Sequence, residues 1–227
     1  MAKKILVVDI GGTHVKLMME GAEQRKFDSG SRMQPKEFVG QLVEQTRDWK
    51  FDAISIGFPS PVRDGKIVKE PKHLGTGWAG FDFAALNKPT RVINDAAMQA
   101  LGSYRGGRML FLGLGTGLGS ALALEGMLFP LELGDLPYRD RDIIENFLGI
   151  PGIDRLGEDE WKREVLFAIT HLKLAFIADY VILGGGLIHR FDDELPKGVE
   201  RGRNENAYLG GLRLWEMENG RPKWQIF

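Results

Sequence analysis

The chain opens with an apolar run, Ile5–Val8, closed by Asp9 and the pair Gly11-Gly12. Such a run predicts a buried strand over Lys4–Asp9 entering a tight turn. Val15–Glu20 and Arg25–Asp28 read as two more strands, folded back around Gly21. Behind Pro35, the residues Phe38, Leu42, Thr46 and Trp49 recur at helical spacing, flanked by Val39 and Val43. Ala53–Gly57 reads as a strand running into "FPSPVRDGK", a loop marked by prolines and Asp64-Gly65. Thr90–Ile93 reads as a strand ending at Asn94-Asp95, with a helix from Ala96 to about Tyr104. Strands at Met109–Leu114 and Ser120–Leu124 flank a glycine run. Trp161, Val165, Ile169, Leu172 and Phe176 predict a long amphipathic helix, and Tyr180–Leu183 a buried strand before Gly184-Gly185-Gly186. "NAYLGGLRLWEM" has a helical pattern broken by two glycines, whereas the charged residues 136–160 predict no element. This alternation is that of an α/β protein. The strand–glycine turn–strand unit near the start recurs around Gly115, a weak internal repeat with Asn94-Asp95 at the join.

Composition narrows the classes of function. At 227 residues, the chain is long enough for one large domain or two small lobes. Lys plus Arg (30) nearly cancel Asp plus Glu (31), which leaves no basic field for nucleic acid. With no cysteine, there is neither a disulfide scaffold nor a thiolate metal site, and the four scattered histidines lack ligand spacing. No apolar stretch is long enough for a bilayer span or a leader, so a cytoplasmic protein without a membrane partner is expected.

The candidate chemistry lies in the glycines. Gly113, Gly115, Gly117 and Gly119 recur at alternate positions, each costing backbone entropy on folding. A dinucleotide fingerprint would need glycine at 118 or 120, which are Leu118 and Ser120, and no Walker A loop exists. Alone, the run reads equally well as a structural hairpin. It is accompanied, however, by "VVDIGGTHVK" and "VILGGGL". Glycines let backbone amides approach an anion and a threonine adds a hydroxyl, so two facing turns suit a phosphate chain held between two lobes. In "VINDAAMQAL" a carboxylate stands where a strand ends and a helix begins, a place for a general base or for a helix cap. Glu132 lies in the apolar stretch "PLELG", where an unpaired carboxylate is costly and a ligand or partner is expected.

"DIGGTHVK", "INDAAMQALGSY", "LGLGTGLGSAL", "ELGD" and "VILGGGL", in this order, resemble the ROK sugar kinases of the actin/hexokinase/Hsp70 superfamily. "IGFPSPVRDGKI" and "HLGTGWAGFDF" are similar to the polyphosphate-dependent glucokinase branch. The resemblance spans roughly residues 4–134, then Asp179–Leu187 and "ENAYLGG". It implies an α/β, two-lobed, actin-like ATPase/hexokinase (ribonuclease H-like) fold with an interlobe active-site cleft. Residues 1–94 would form the N-terminal lobe, joined by a C-terminal helix of about 204–227, and residues 95–203 the C-terminal lobe. By matching position, Asp9, Gly11, Gly12, Thr13 and Lys16 would form the first phosphate loop, with Asp9 near a Mg2+ ion through water. Gly115, Thr116 and Gly117 would form the second, and Gly184, Gly185 and Gly186 would line the donor side. Asn94, Glu132, Pro59 and Ser60 would bind the sugar, and Asp95 would be the general base.

The implied activity is phosphoryl transfer to a hexose, with glucose giving glucose 6-phosphate and ATP or polyphosphate as donor. A kinase for another sugar, or a non-catalytic sugar- or nucleotide-binding protein of the same fold, is the alternative. Repressors of the family carry an N-terminal helix-turn-helix, and a first strand beginning by Lys4 argues against one. The chain departs from the family at Asp135, where many members have histidine, and in lacking the zinc-binding cysteines, so no zinc is expected. No second sugar-binding glutamate is recognisable after Asp135. Asp135 is expected to turn from the sugar or to pair with Arg139 or Arg141. Trp215, Trp224 and Phe227, taken as exposed, would suit a homodimer contact.

Overall fold

Two sheets carry the molecule, and glycine decides how closely the helices between them approach. The computed structural model describes residues 3–191, 195–203 and 205–227. The first sheet is built from β1 (Ile5–Ile10), β2 (His14–Met18), β3 (Arg25–Asp28), β4 (Ala53–Phe58) and β7 (Thr90–Asn94), in the order β3-β2-β1-β4-β7. β1, β4 and β7 run parallel, while β2 and β3 fold back antiparallel. Every residue of β1 and β4 is buried, as the unbroken apolar runs of central parallel strands require. The outer face of this sheet is covered by α1 (Pro35–Gln45) and by the long loop after β4, which contains the small hairpin β5 (Val62–Arg63) and β6 (Lys66–Ile67). Trp78 anchors that loop. It is fully buried, packs 4.9 Å from the Phe58 ring, and its indole donates to the Met33 carbonyl at 3.0 Å.

After α2 (Asp95–Ser103), the second sheet gathers β8 (Arg108–Leu114), β9 (Leu118–Leu124), β10 (Met127–Leu131), β11 (Tyr180–Gly184), β12 (Val199–Arg201) and β15 (Gln225–Ile226). Their order is β12-β11-β8-β9-β10-β15. Its outer face packs on α3 (Glu145–Leu148), α4 (Ile150–Leu156) and α5 (Glu158–Ala175), with Trp161 fully buried among them. Between the sheets lie α2 and α6 (Asn206–Arg213). They share a core with Ile5 and Val7 of one sheet and Met109, Phe111, Ala121 and Ala123 of the other.

α2 and α6 meet backbone to backbone. A β-carbon on Gly102 would run into the Asn206 carbonyl oxygen, and one on Gly210 into that of Met98. The glycines that interrupt the helical pattern of "NAYLGGLRL" are therefore what allows this crossing. Gly211 faces Val7 in the same way, and its carbonyl accepts from the Ser55 hydroxyl at 2.6 Å.

The C-terminal helix is shorter than the sequence suggested, ending at Arg213. Beyond it, Asn219 (φ 52°) and Gly220 (φ 76°) turn a hairpin of β13 (Met217–Glu218) and β14 (Arg221–Pro222), the Asn-Gly pairing such turns favour. Trp224 is not exposed: it sits edge-on to Tyr104 at 5.1 Å, 8% exposed. Trp215 is half-buried, donates to the Ser55 hydroxyl at 2.9 Å and lies beneath the Arg91 guanidinium. Phe227 remains half exposed but stacks on Phe129 at 4.6 Å. Among the described residues no helix is long and apolar enough to cross a membrane.

Candidate active site

β7 ends at Asn94, whose side chain accepts from the Ala97 amide at 3.1 Å and so caps α2. Asp95, the next residue, stands on the first turn of the helix and accepts from the Ala96 amide at 2.8 Å. Two bare surfaces admit this turn. On one side Gly57 of β4 faces Asp95 and Met98; on the other, a β-carbon on Gly119 would lie 2.8 Å from that of Ala96. Gly119 pairs with Gly113 across β8 and β9. Gly119 thus makes room for the helix, while Gly113 lies against the Phe111 ring.

All four alternating glycines line an open cleft of about 310 Å³. Gly115, Thr116 and Gly117 make the β8–β9 turn, closed by the Gly115 amide on the Gly117 carbonyl at 3.1 Å. None of the four glycines has a positive φ, so the turn needs absence of side chains rather than left-handed backbone. Nothing lies within 4 Å of a β-carbon built on Gly115, which therefore opens onto the cleft. Gly11 and Gly12 line the facing wall, and Gly185 and Gly186 the far end. A β-carbon on Gly185, at φ +84°, would run into the Leu114 carbonyl oxygen, so only glycine fills this place. Asp9, Thr13, Lys16 and Gly184 are not on the cleft wall. Gly184 lies behind it against Phe111, and Thr13 is exposed in the β1–β2 turn. Lys16 is opposite Asp9 in the strand pairing, its ammonium 3.8 Å from the Asp9 carboxylate.

The other end of the cleft is acidic. Glu132, Asp135 and Glu145 line it, together with Pro59, Ser60, Lys69 and Lys72. Glu132 is fixed by Ser120: this buried hydroxyl donates to the Leu131 carbonyl at 2.9 Å and accepts from the Leu133 amide at 3.1 Å. The Ser60 hydroxyl is already engaged with the Lys69 carbonyl at 2.6 Å. Asp135 pairs with neither Arg139 nor Arg141. Its partner is Lys72, at 3.1 Å, and Arg139 instead binds Glu164 at 2.9 Å. Lys72 comes from a loop on the first sheet, where it is nearer than either arginine, and it also bonds Glu145.

Glu145 was not legible as a site residue. Ile144, Phe147 and Leu148 are buried around it at helical spacing, a one-turn signal too short to read as a helix. A β-carbon on Gly117 would lie 2.5 Å from its carboxylate and one on Gly134 would lie 3.0 Å away, so glycines make its berth. Lys69, Lys72 and the neighbouring Glu70 were likewise missed, since a loop has no period. Glu70 accepts from the Gly77, Trp78 and Ala79 amides and braces that loop.

Charge in the cleft is unevenly balanced. Burial, then the nearby Asp9 and to a lesser degree Glu132, push the Asp95 carboxyl up from 3.8 to about 7, against the Ala96 amide. Asp9 is also raised by burial, which Lys16 only partly offsets. Glu132 is solvent-accessible but walled in; burial and Asp135 raise it while Lys72 and Lys69 pull it down. Burial would lower Lys72, yet its bonds to Glu145 and Asp135 prevail and hold it above the usual lysine value.

The ROK family model matches residues 5–130, more than half of the chain. The chain belongs to the ROK family. This ROK chain is 28% identical over 145 residues to a kanosamine kinase from Amycolatopsis mediterranei (strain S699), a match spanning 55% of the chain and about half (47%) of that relative's length. Its fold is similar to the inorganic polyphosphate/ATP-glucomannokinase of Arthrobacter sp. strain KM, with a TM-score of 0.80 at 23% identity, covering 93% of this chain and 97% of the other. It is also similar to a ROK family glucokinase from Streptomyces griseus in complex with glucose and AMPPNP, with a TM-score of 0.73 at 15% identity, covering 93% and 98%. These likenesses establish the mixed α/β fold of the actin-like ATPase/hexokinase type.

Proposed function

We propose that this ROK protein is a sugar kinase, moving the terminal phosphoryl group of ATP or polyphosphate to a hexose hydroxyl, with glucose as acceptor. The observation that carries this reading is Asp95: a carboxyl titrating near 7, at a helix start, between a glycine-lined end and an acidic end of one cleft. The names of its relatives and fold neighbours, kinases of glucose, mannose-type sugars and kanosamine, support it. On this reading residues 1–94 with α6 form one lobe and residues 95–203 the other, closing on the cleft.

Glu132 and Glu145, with the Asn94 edge of the pocket, orient the sugar by accepting its hydroxyl protons. The backbone amides of Gly12, Thr116 and Gly117 face the donor phosphates, to which the glycines of both turns permit close approach. Asp95 takes the proton of the reacting hydroxyl as its oxygen bonds to phosphorus and the bond from phosphorus to the donor's bridging oxygen breaks. The proton ends on Asp95, and the shortened donor leaves from the glycine loops.

Among the described residues no set of three or more acidic or histidine side chains is arranged to hold a metal. Asp9 lies behind the cleft wall but close enough to Asp95 to raise its pKa. As a single buried carboxylate with Lys16 at 3.8 Å, it would hold a magnesium ion only through water, the ion's other ligands being donor phosphates. When bound there, magnesium neutralises phosphate charge. A screen of hexoses against ATP and polyphosphate, coupled to detection of sugar phosphate, tests the proposal. Phosphorylation that is lost in Asp95→Asn is expected. Absence of transfer to every hexose from either donor overturns it.

A further inference from the structure

Lys72 occupies an unusual place. It belongs to the first sheet's loop, yet its ammonium sits in the acidic end of the cleft, bonded to Asp135 and Glu145 of the other half. Without it, Glu132, Asp135 and Glu145 would face one another with Lys69 as the remaining cation on that wall. Asp9 and Asp95 add further negative charge deeper in. Of the pair held by Lys72, Glu145 is the more enclosed, its side chain 17% exposed against 46% for Asp135, so Glu145 depends more on that partner.

Resting on the kinase reading, we propose that Lys72 determines which class of sugar enters: by filling the place between Asp135 and Glu145 with its own ammonium from across the cleft, it fits the acceptor end to uncharged hexoses and disfavours sugars bearing an ammonium group. An uncharged hexose offers hydroxyls to these carboxylates without displacing the Lys72 ammonium from between them. A protonated amino sugar would bring a second ammonium within contact range of the first, where like charges repel strongly. Removing Lys72 reverses the preference, because the uncompensated carboxylates then attract the substrate's cation. A mere tie between the two halves would change affinity for both sugars alike.

The test is calorimetric binding of glucose and of glucosamine, below the pKa of its amine, to the wild type, Lys72→Met and Lys72→Arg. The wild type should favour glucose. Lys72→Met should shift the glucosamine-to-glucose affinity ratio upward by about tenfold or more, as expected for loss of a partly screened like charge. Lys72→Arg, which keeps the charge, should stay within a few-fold of the wild type, and circular dichroism should show both variants folded. If glucose binds and the ratio is the same in Lys72→Met, or if the wild type already prefers the ammonium sugar, this proposal is wrong while the kinase reading stands. If no sugar binds the wild type and none is phosphorylated, the kinase reading fails and takes this proposal with it.

Discussion

On the proposed reading Asp95 acts as the base, and its chemistry is set by its surroundings. Burial and the neighbouring Asp9 hold its carboxyl near 7, so at neutral pH half the molecules carry the base in usable form. Turnover should therefore rise with pH through about 7 and level off above, while Asp95→Asn loses about a hundredfold to ten-thousandfold in kcat. The same shift bears on stability. A carboxyl whose pKa is raised in the fold stabilises while protonated, below its unfolded value near 4, and that contribution fades as pH climbs through about 7. Asp95→Asn should accordingly unfold later than the wild type at pH 8, by about 1–2 kcal/mol after allowance for water in the cleft, with the gap closing toward pH 4. Denaturant titration across that range checks the sign. Ser120 acts at one remove: it bridges the residues on either side of Glu132. Ser120→Ala should cost about 1–3 kcal/mol for the unmatched Leu133 amide and raise the acceptor KM more than it lowers kcat.

Elements explain what could be read in advance and what could not. α5, eighteen residues with a clear apolar stripe, and the buried runs of β1, β4 and β11 were visible because their periods are long or unbroken. Asp95, Glu132 and the second glycine turn stood out because they interrupt such runs, and their proposed roles came from the family resemblance. α3, four residues long, gives no period, and so Glu145 stayed hidden. Lys72 is brought in by a loop braced through Glu70 and Trp78, contacts between residues whose meaning appears only once the chain is folded. Within the glycine run Gly119 also makes room for α2, whereas Gly115 opens only onto the cleft. Separate alanines should expose this. Gly119→Ala collides with α2 and should lower the melting temperature, at a cost of about 1–3 kcal/mol. Gly115→Ala meets nothing and should leave stability almost unchanged while raising the donor KM. If both behave alike in melting and kinetics, the division of roles is wrong.

At the scale of the molecule, two sheets with separate outer cores enclose the cleft, joined along α2 and α6 by glycine contacts and across it by Lys72. Bound together, acceptor and donor should draw the halves inward, seen as a smaller radius of gyration in solution scattering. A scattering curve unchanged at saturating ligand would leave the cleft static. The stretch from Glu145 to Ile150 has a further consequence. Its carboxylate lies at the acidic end, while five residues on the Ile150 amide donates to the Gly115 carbonyl of the glycine turn at 3.0 Å. On the kinase reading, a displacement of that carboxylate by sugar should be felt by the turn, giving the two ligands a single interaction free energy. Thermodynamic reciprocity then binds them: whatever factor the sugar applies to donor affinity, the donor applies to the sugar, and replacing Glu145 with glutamine shrinks both factors together.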